Sequence, residues 1–302
     1  MTATIALDDI IAAAERTSDL TFQTPLRFSE WLSTPQSNVF FKLETIQPTC
    51  SYKIRGALNA AQRFADDAAA DRRLVTASAG NHGRALAYAA SMFDLPLVVF
   101  VAENAPRAKV DAIVGNGAEV RECATYDEAE QQAKAFAQGG GGVYISPYSH
   151  PDVIAGAGTI GLELVEQQPD LDAVIVPVGG GGLISGIGIA MKALSPQTRI
   201  IGVEVAASSP FTKSIAAGRL VTIDVGPSLA DGLTGNLDPE TITLDIVRDV
   251  VDEIVVVEES GLREALAGVV TREHVVIEGA AAAGVPRSWG DRFSCTATWP
   301  SS

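Results

Sequence analysis

The chain has 302 residues, enough to bury a large core in one or two domains. It is 47% hydrophobic and 20% charged, the balance of a soluble globular protein, and its net charge of -15 argues against a nucleic-acid surface. The best apolar stretch, Leu86 to Ala102, contains Asp94 and Pro96, so no membrane span is expected. Cys50, Cys123 and Cys295 lie far apart without metal-ligand spacing, and the N-terminus lacks the basic start of a signal peptide. A reduced, cytoplasmic compartment is expected.

In chain order, Leu74–Ala77, Leu97–Val101, Ala118–Glu122 and Val143–Ile145 read as strands. Between them His82–Phe93, Ala105–Val114 and Tyr126–Ala137 read as helices. A second series places strands at Ala173–Val178, Arg199–Val205 and Glu253–Val257, with helices near Leu162–Gln167, Leu183–Leu194 and Gly261–Thr271. The strand runs are apolar at successive residues, as in strands covered on both faces by helices. This is the pattern of an α/β protein with mainly parallel sheets.

Three segments carry chemistry. In Ser51-Tyr52-Lys53-Ile54-Arg55-Gly56-Ala57 a lysine stands beside apolar side chains, a setting that disfavours the ammonium and suits a Schiff-base nucleophile. Val176-Pro177-Val178 leads into Gly179, Gly180, Gly181 and Gly182 and then Leu183, a strand–tetraglycine–helix junction. Its backbone N–H groups and helix dipole suit a phosphate. No Gly-Lys-Ser/Thr follows, which excludes a Walker loop, and Ile184 breaks the dinucleotide pattern. Ser78-Ala79-Gly80-Asn81-His82-Gly83 also joins a strand to a helix. Ser78, Ala79, Gly80, Asn81 and His82 can grip a carboxylate, the Asn81 amide can bond a phenolate oxygen, and His82 reads as a positioning residue.

A phosphate cradle, an amine nucleophile and a carboxylate grip together suit pyridoxal 5′-phosphate acting on an amino acid. On these motifs the chain resembles the fold-type II pyridoxal-phosphate enzymes, specifically the serine/threonine dehydratase and serine racemase family, over roughly Ile10 to Val285. Pro147-Tyr148, Ile154-Ala155-Gly156 and Gly158-Thr159-Ile160-Gly161-Leu162-Glu163 match a further stretch of it. The resemblance implies a two-domain, tryptophan-synthase-β-like fold. Residues 1–72 plus 150–302 would form the large cofactor-binding domain, and 73–149 the small substrate-side domain. It also implies that Lys53 carries the cofactor, that Asn81 bonds its 3′-oxygen, that Tyr52 lines the ring and that Glu278 sits near it. The implied reaction is β-elimination from L-threonine, L-serine or a related β-hydroxy amino acid, giving a 2-oxo acid and ammonia. A homodimer or homotetramer follows by the same resemblance.

The sequence departs from that family in four places. Ala79 stands where the racemases carry a serine that protonates the opposite face of Cα, which favours elimination. Pro210 stands where a second acidic partner of Glu204 would complete a divalent-cation site, so no metal is expected there. Cys50 and Ala157 replace the usual glycine and glutamine. After Val285 the apolar periodicity stops, and the serine or threonine that would meet the pyridine nitrogen is not visible in residues 286–302. Three alternatives therefore stand beside the ammonia-lyase. One is a serine racemase. Another is a hydroxyectoine-pathway dehydratase, since Ser228-Leu229-Ala230-Asp231-Gly232-Leu233 is similar to those enzymes. The third is a cofactor-binding protein with turnover impaired by its altered C-terminus.

Overall fold

The computed structural model describes residues 5–67 and 73–285. Helix α1 (Leu7–Thr17) is followed by a short antiparallel pair, β1 (Leu26–Phe28) and β2 (Phe40–Lys42). Then come α2 (Lys53–Asp66), β3 (Leu74–Ala77), α3 (Asn81–Met92), β4 (Leu97–Ala102), α4 (Arg107–Val114), β5 (Glu119–Cys123), α5 (Tyr126–Phe136) and β6 (Val143–Tyr144). The long α6 (Pro151–Gln167) leads to β7 (Ala173–Pro177), α7 (Gly182–Leu194), β8 (Arg199–Val205) and α8 (Pro210–Ala217). Helix α9 (Thr243–Val250), β9 (Glu253–Val257), α10 (Glu259–Gly268) and α11 (Gly279–Ala282) complete the described chain. The α/β class with parallel sheets expected from the sequence is the one found.

Contacts group the chain into two units. The first holds the residues up to Thr24 together with Glu44–Pro169 and Gly181–Pro196. The second holds Pro25–Leu43, Asp170–Gly180 and the residues from Gln197 onward.

In the first unit β5, β4, β3 and β6 form a parallel sheet in that order. Side-chain alternation divides its strands between two buried faces. Leu74, Val99 and Val101 pack with Ile54, Leu58 and Leu86 from α2 and α3. Val75, Ala77, Val98 and Phe100 pack with Ala129 and Ala133 of α5. Covering both faces is what lets β3 bury all four of its residues. From β3 the chain runs to β4 and β5 on one side, then returns as β6 on the other, so the strand order reverses at β3. The carboxyl ends of β3 and β6 therefore flank a topological switch point, where open α/β sheets bind their ligands.

The second unit carries a parallel sheet of β7, β8 and β9, with Val203, Val205, Val255 and Val257 in a core shared with Leu233 and Leu262. Its hairpin packs Trp31 and Phe41 against Ala265, Val269 and Ala282. Among the described residues no helix is long and apolar enough to cross a membrane.

Candidate active site

Lys53 is the first residue of α2 and is half-buried. Its backbone N–H donates to the Ser51 hydroxyl at 3.3 Å, which starts the helix in place of a side-chain cap on Tyr52. The side chain runs past the Tyr52 ring, with Nζ 5.2 Å from its centroid, and Nζ donates to the Pro147 carbonyl at 2.8 Å. Pro147 follows β6, so this contact holds the amine at the switch point of the first sheet. Sequence reasoning missed that acceptor. It is a backbone oxygen, and a carbonyl has no residue signature.

Cys50, just upstream, adopts φ = 55°. A non-glycine residue in the left-handed region costs about 1–2 kcal/mol, a strain that glycine at this position would not carry. Cys50→Gly relieves that strain but adds roughly 0.5–1 kcal/mol of unfolded-chain entropy to be lost. A net stabilisation of about 0.5 kcal/mol is expected in urea unfolding; destabilisation would show instead that the thiol makes a packing contribution.

The loop after β3 ends the neighbouring strand. Ser78 N–H donates to the Phe100 carbonyl at 3.1 Å, and the Ser78 hydroxyl accepts from Gly80 N–H at 3.2 Å. Gly80 then caps α3, whose first residue is Asn81. A Cβ on Gly83 would lie 1.9 Å from the Ser78 carbonyl, so only glycine lets the helix fold back this tightly on its own loop. The result is a half-buried turn at the N-terminal, electropositive end of α3.

His82 lies under this turn, 2% exposed, and neither ring nitrogen has a partner in hydrogen-bond geometry. Burial, with the Lys53 charge second, pushes the imidazole down to about 3; the Ile145 backbone opposes the shift without forming a well-aligned hydrogen bond. His82 is thus a neutral side chain and no proton carrier at neutral pH. The folded pKa lies below the unfolded value of about 6.5, so the unfolded chain binds the extra proton between those values. Stability from this group is complete above about 6.5 and is lost as the pH falls toward about 3. Across that window the thermal midpoint is expected to fall more steeply for the parent chain than for His82→Asn. Parallel slopes would contradict the assignment.

The tetraglycine follows β7. Val178 N–H donates to the Val203 carbonyl at 2.8 Å, and the chain then leaves the sheet. Gly181 takes φ = 84° as the residue before α7, and a Cβ on Gly182 would meet the Tyr148 carbonyl at 2.6 Å. The Gly180 carbonyl accepts from the Thr243 hydroxyl at 2.9 Å, a support that the motif did not reveal. This is a cradle of amides at a helix start, with Leu183 as the second residue of α7. Its shape fits a phosphate monoester such as that of pyridoxal phosphate.

Glu278 is exposed and precedes α11, where a Cβ on Gly279 would strike the Leu229 carbonyl at 2.0 Å. Glu204 has a structural engagement: its buried carboxylate accepts from Phe211 N–H and Thr212 N–H, each at 2.8 Å, and from the Thr212 hydroxyl at 2.6 Å. Burial raises its carboxyl pKa, and the Thr212 and Phe211 donors oppose that. It holds the first turn of α8, where Pro210 stands. The expected departure at residues 286–302 lies outside the described residues.

In the first unit, a parallel sheet whose strand ends carry an amine and a strand–helix turn has the layout of an α/β enzyme. The family of pyridoxal-phosphate dependent enzymes matches residues 17–291, and the chain belongs to it. An L-threonine ammonia-lyase of Thermotoga maritima is 38% identical over 93% of this chain and 70% of its own length. One from Geobacter sulfurreducens is 41% identical, covering 84% of this chain and 62% of its own length, so the chain spans under two thirds of that relative. Among solved structures, maize serine racemase superposes with a TM-score of 0.90 at 32% identity, covering 98% of this chain and 90% of its own.

Proposed function

We propose that the chain catalyses the pyridoxal-phosphate-dependent β-elimination of L-threonine, L-serine or a related β-hydroxy amino acid, releasing a 2-oxo acid and ammonia. The observation that carries this reading is the Lys53 amine held on the Pro147 carbonyl at the switch point, at the strand end next to the 78–82 turn. Lys53 binds the cofactor, and Gly179, Gly180, Gly181, Gly182 and Leu183 hold its phosphate. Asn81 bonds its ring oxygen, Tyr52 lines the ring and Glu278 stands near it. When bound, the cofactor supplies an electron sink for the charge left at Cα.

The substrate carboxylate lies on the N–H groups of the Ser78–His82 turn, which orients Cα–H toward Lys53. The Lys53 amine would take the Cα proton, the Cβ–O bond would break, and the hydroxyl would leave as water with a proton returned from the Lys53 ammonium. Hydrolysis of the released enamine gives the 2-oxo acid and ammonium. Ala79 offers no proton to the opposite face of Cα, so inversion lacks its second acid. His82 stays neutral beneath the turn and positions it without exchanging protons.

Residues 73–149 act in this reading as the small substrate-side domain within a large domain of 1–72 plus 150–302. The four-stranded sheet drawn from this stretch supports that division. A cytoplasmic homodimer or homotetramer completes the proposal. Incubation of the loaded protein with L-threonine is expected to release 2-oxobutyrate and ammonia in equal amounts, and with L-serine pyruvate. D-serine as the main product would overturn the argument from Ala79.

A further inference from the structure

Helices α2 and α6 meet along glycines. A Cβ on Gly56 would lie 2.6 Å from the Val153 carbonyl, and one on Gly156 would lie 2.5 Å from the Arg55 carbonyl. The Val153 side chain also reaches Gly56, its Cγ1 3.0 Å from that Cβ position, but at the glycines the contact is largely backbone, with few of the ridges that normally fix one helix against another. Asn59 of α2 donates to the Asp152 carbonyl of α6 at 2.8 Å, and a second, two-sided set of contacts bears on the register of α2, whose first residue is Lys53.

Arg55 sits at that height, with its side chain 1% exposed. Nε and Nη2 donate to the two oxygens of Glu44, both at 2.8 Å. Nη1 and Nη2 donate to the two oxygens of Glu163 at 2.6 and 3.1 Å. Further donation reaches the Thr159 hydroxyl and the Phe22 carbonyl, each at 3.1 Å. Thr24 joins the two carboxylates: its hydroxyl donates to Glu44 at 2.6 Å and its N–H to Glu163 at 3.3 Å. A planar guanidinium forked onto carboxylates on two sides is sensitive to both rotation and sliding. Desolvating such a cluster largely cancels its attraction, so it is a weak source of stability and a strong source of geometry.

We propose that Arg55, clamped between Glu44 and Glu163, is a positioning residue that sets the register of α2 on α6 and thereby holds the Lys53 amine in place. Both ends of the Lys53–Pro147 contact depend on these helices, since Lys53 opens α2 and Pro147 shortly precedes α6. The functional part of this inference rests on Lys53 being the cofactor lysine.

Arg55→Lys keeps the charge and loses the fork. In the protein loaded with pyridoxal phosphate, kcat for L-threonine is expected to fall roughly 10–100-fold with KM changed by less than about threefold, the signature of a displaced reacting group. In the cofactor-free chain, competitive acetylation of Lys53 against the exposed Lys213 is expected to rise about threefold or more as Nζ leaves Pro147. Leu58→Ala, a fully buried change on the same helix, serves as the control: it lowers Tm and leaves kcat and the labelling ratio in place. If Arg55→Lys lowers Tm in the same way but leaves kcat and labelling within about twofold, the clamp is only structural and the proposal fails. Should Arg55→Lys not fold, Glu163→Gln keeps the shape of the partner, and about a fivefold change in the same readouts is expected; no change would overturn the proposal. The labelling arm uses no cofactor, so it judges the clamp even if parent Lys53 proves to carry none.

Discussion

Lys53→Ala is expected to reduce kcat for L-threonine by about 10⁴-fold or more in protein saturated with pyridoxal phosphate. Loss of a positioned base alone typically costs 10²–10⁴-fold, and here the same amine is also the covalent anchor. The fold should survive. Lys53 is half-buried at a helix start, and its side chain contacts the Pro147 carbonyl and the Tyr52 ring. Circular dichroism should therefore match the parent while 2-oxobutyrate release disappears. A variant that kept turnover within about tenfold would place the base elsewhere.

Gly182→Ala is expected to weaken pyridoxal-phosphate binding on the order of 10–100-fold, which corresponds to about 1.4–2.8 kcal/mol. The new methyl would lie 2.6 Å from the Tyr148 carbonyl, so the first turn of α7 must shift. The cost then falls on charge-assisted N–H contacts, each worth about 1.5–3 kcal/mol. Equilibrium dialysis against pyridoxal phosphate measures the loss. Turnover should return at high cofactor concentration, because Lys53 is untouched. Unchanged affinity would remove the tetraglycine from the phosphate site.

The strands were legible because burial on both faces leaves a continuous apolar run, as in Leu74–Ala77. Helices α2 and most of α6 were not. Gly56, Gly156, Gly158 and Gly161 look like helix breakers in sequence, yet each marks a place where another backbone or a side chain comes too close for a Cβ. Helix α6 consequently begins at Pro151, well before the helix expected at Leu162. The β1–β2 hairpin, only three residues per strand, offers too few alternations to read.

The candidate motifs could be singled out because each is local: a loop's glycines and amides are chemistry carried within a few residues. The contacts around the lysine motif are not local. The Pro147 acceptor lies 94 residues from Lys53, and Glu163 lies 108 residues from Arg55. Arg55 stood inside the lysine motif as a polar neighbour, and only the fold shows what it grips. The burial of His82, which keeps its imidazole neutral, is likewise a property of the fold that the loop sequence does not show.

The most direct test of the central claim is borohydride reduction of the protein loaded with pyridoxal phosphate, followed by peptide mass analysis. The cofactor mass is expected on the peptide containing Lys53 and to be missing from Lys53→Ala. Cofactor mass on another lysine, or on none, would contradict the assignment of Lys53 and the elimination mechanism built on it.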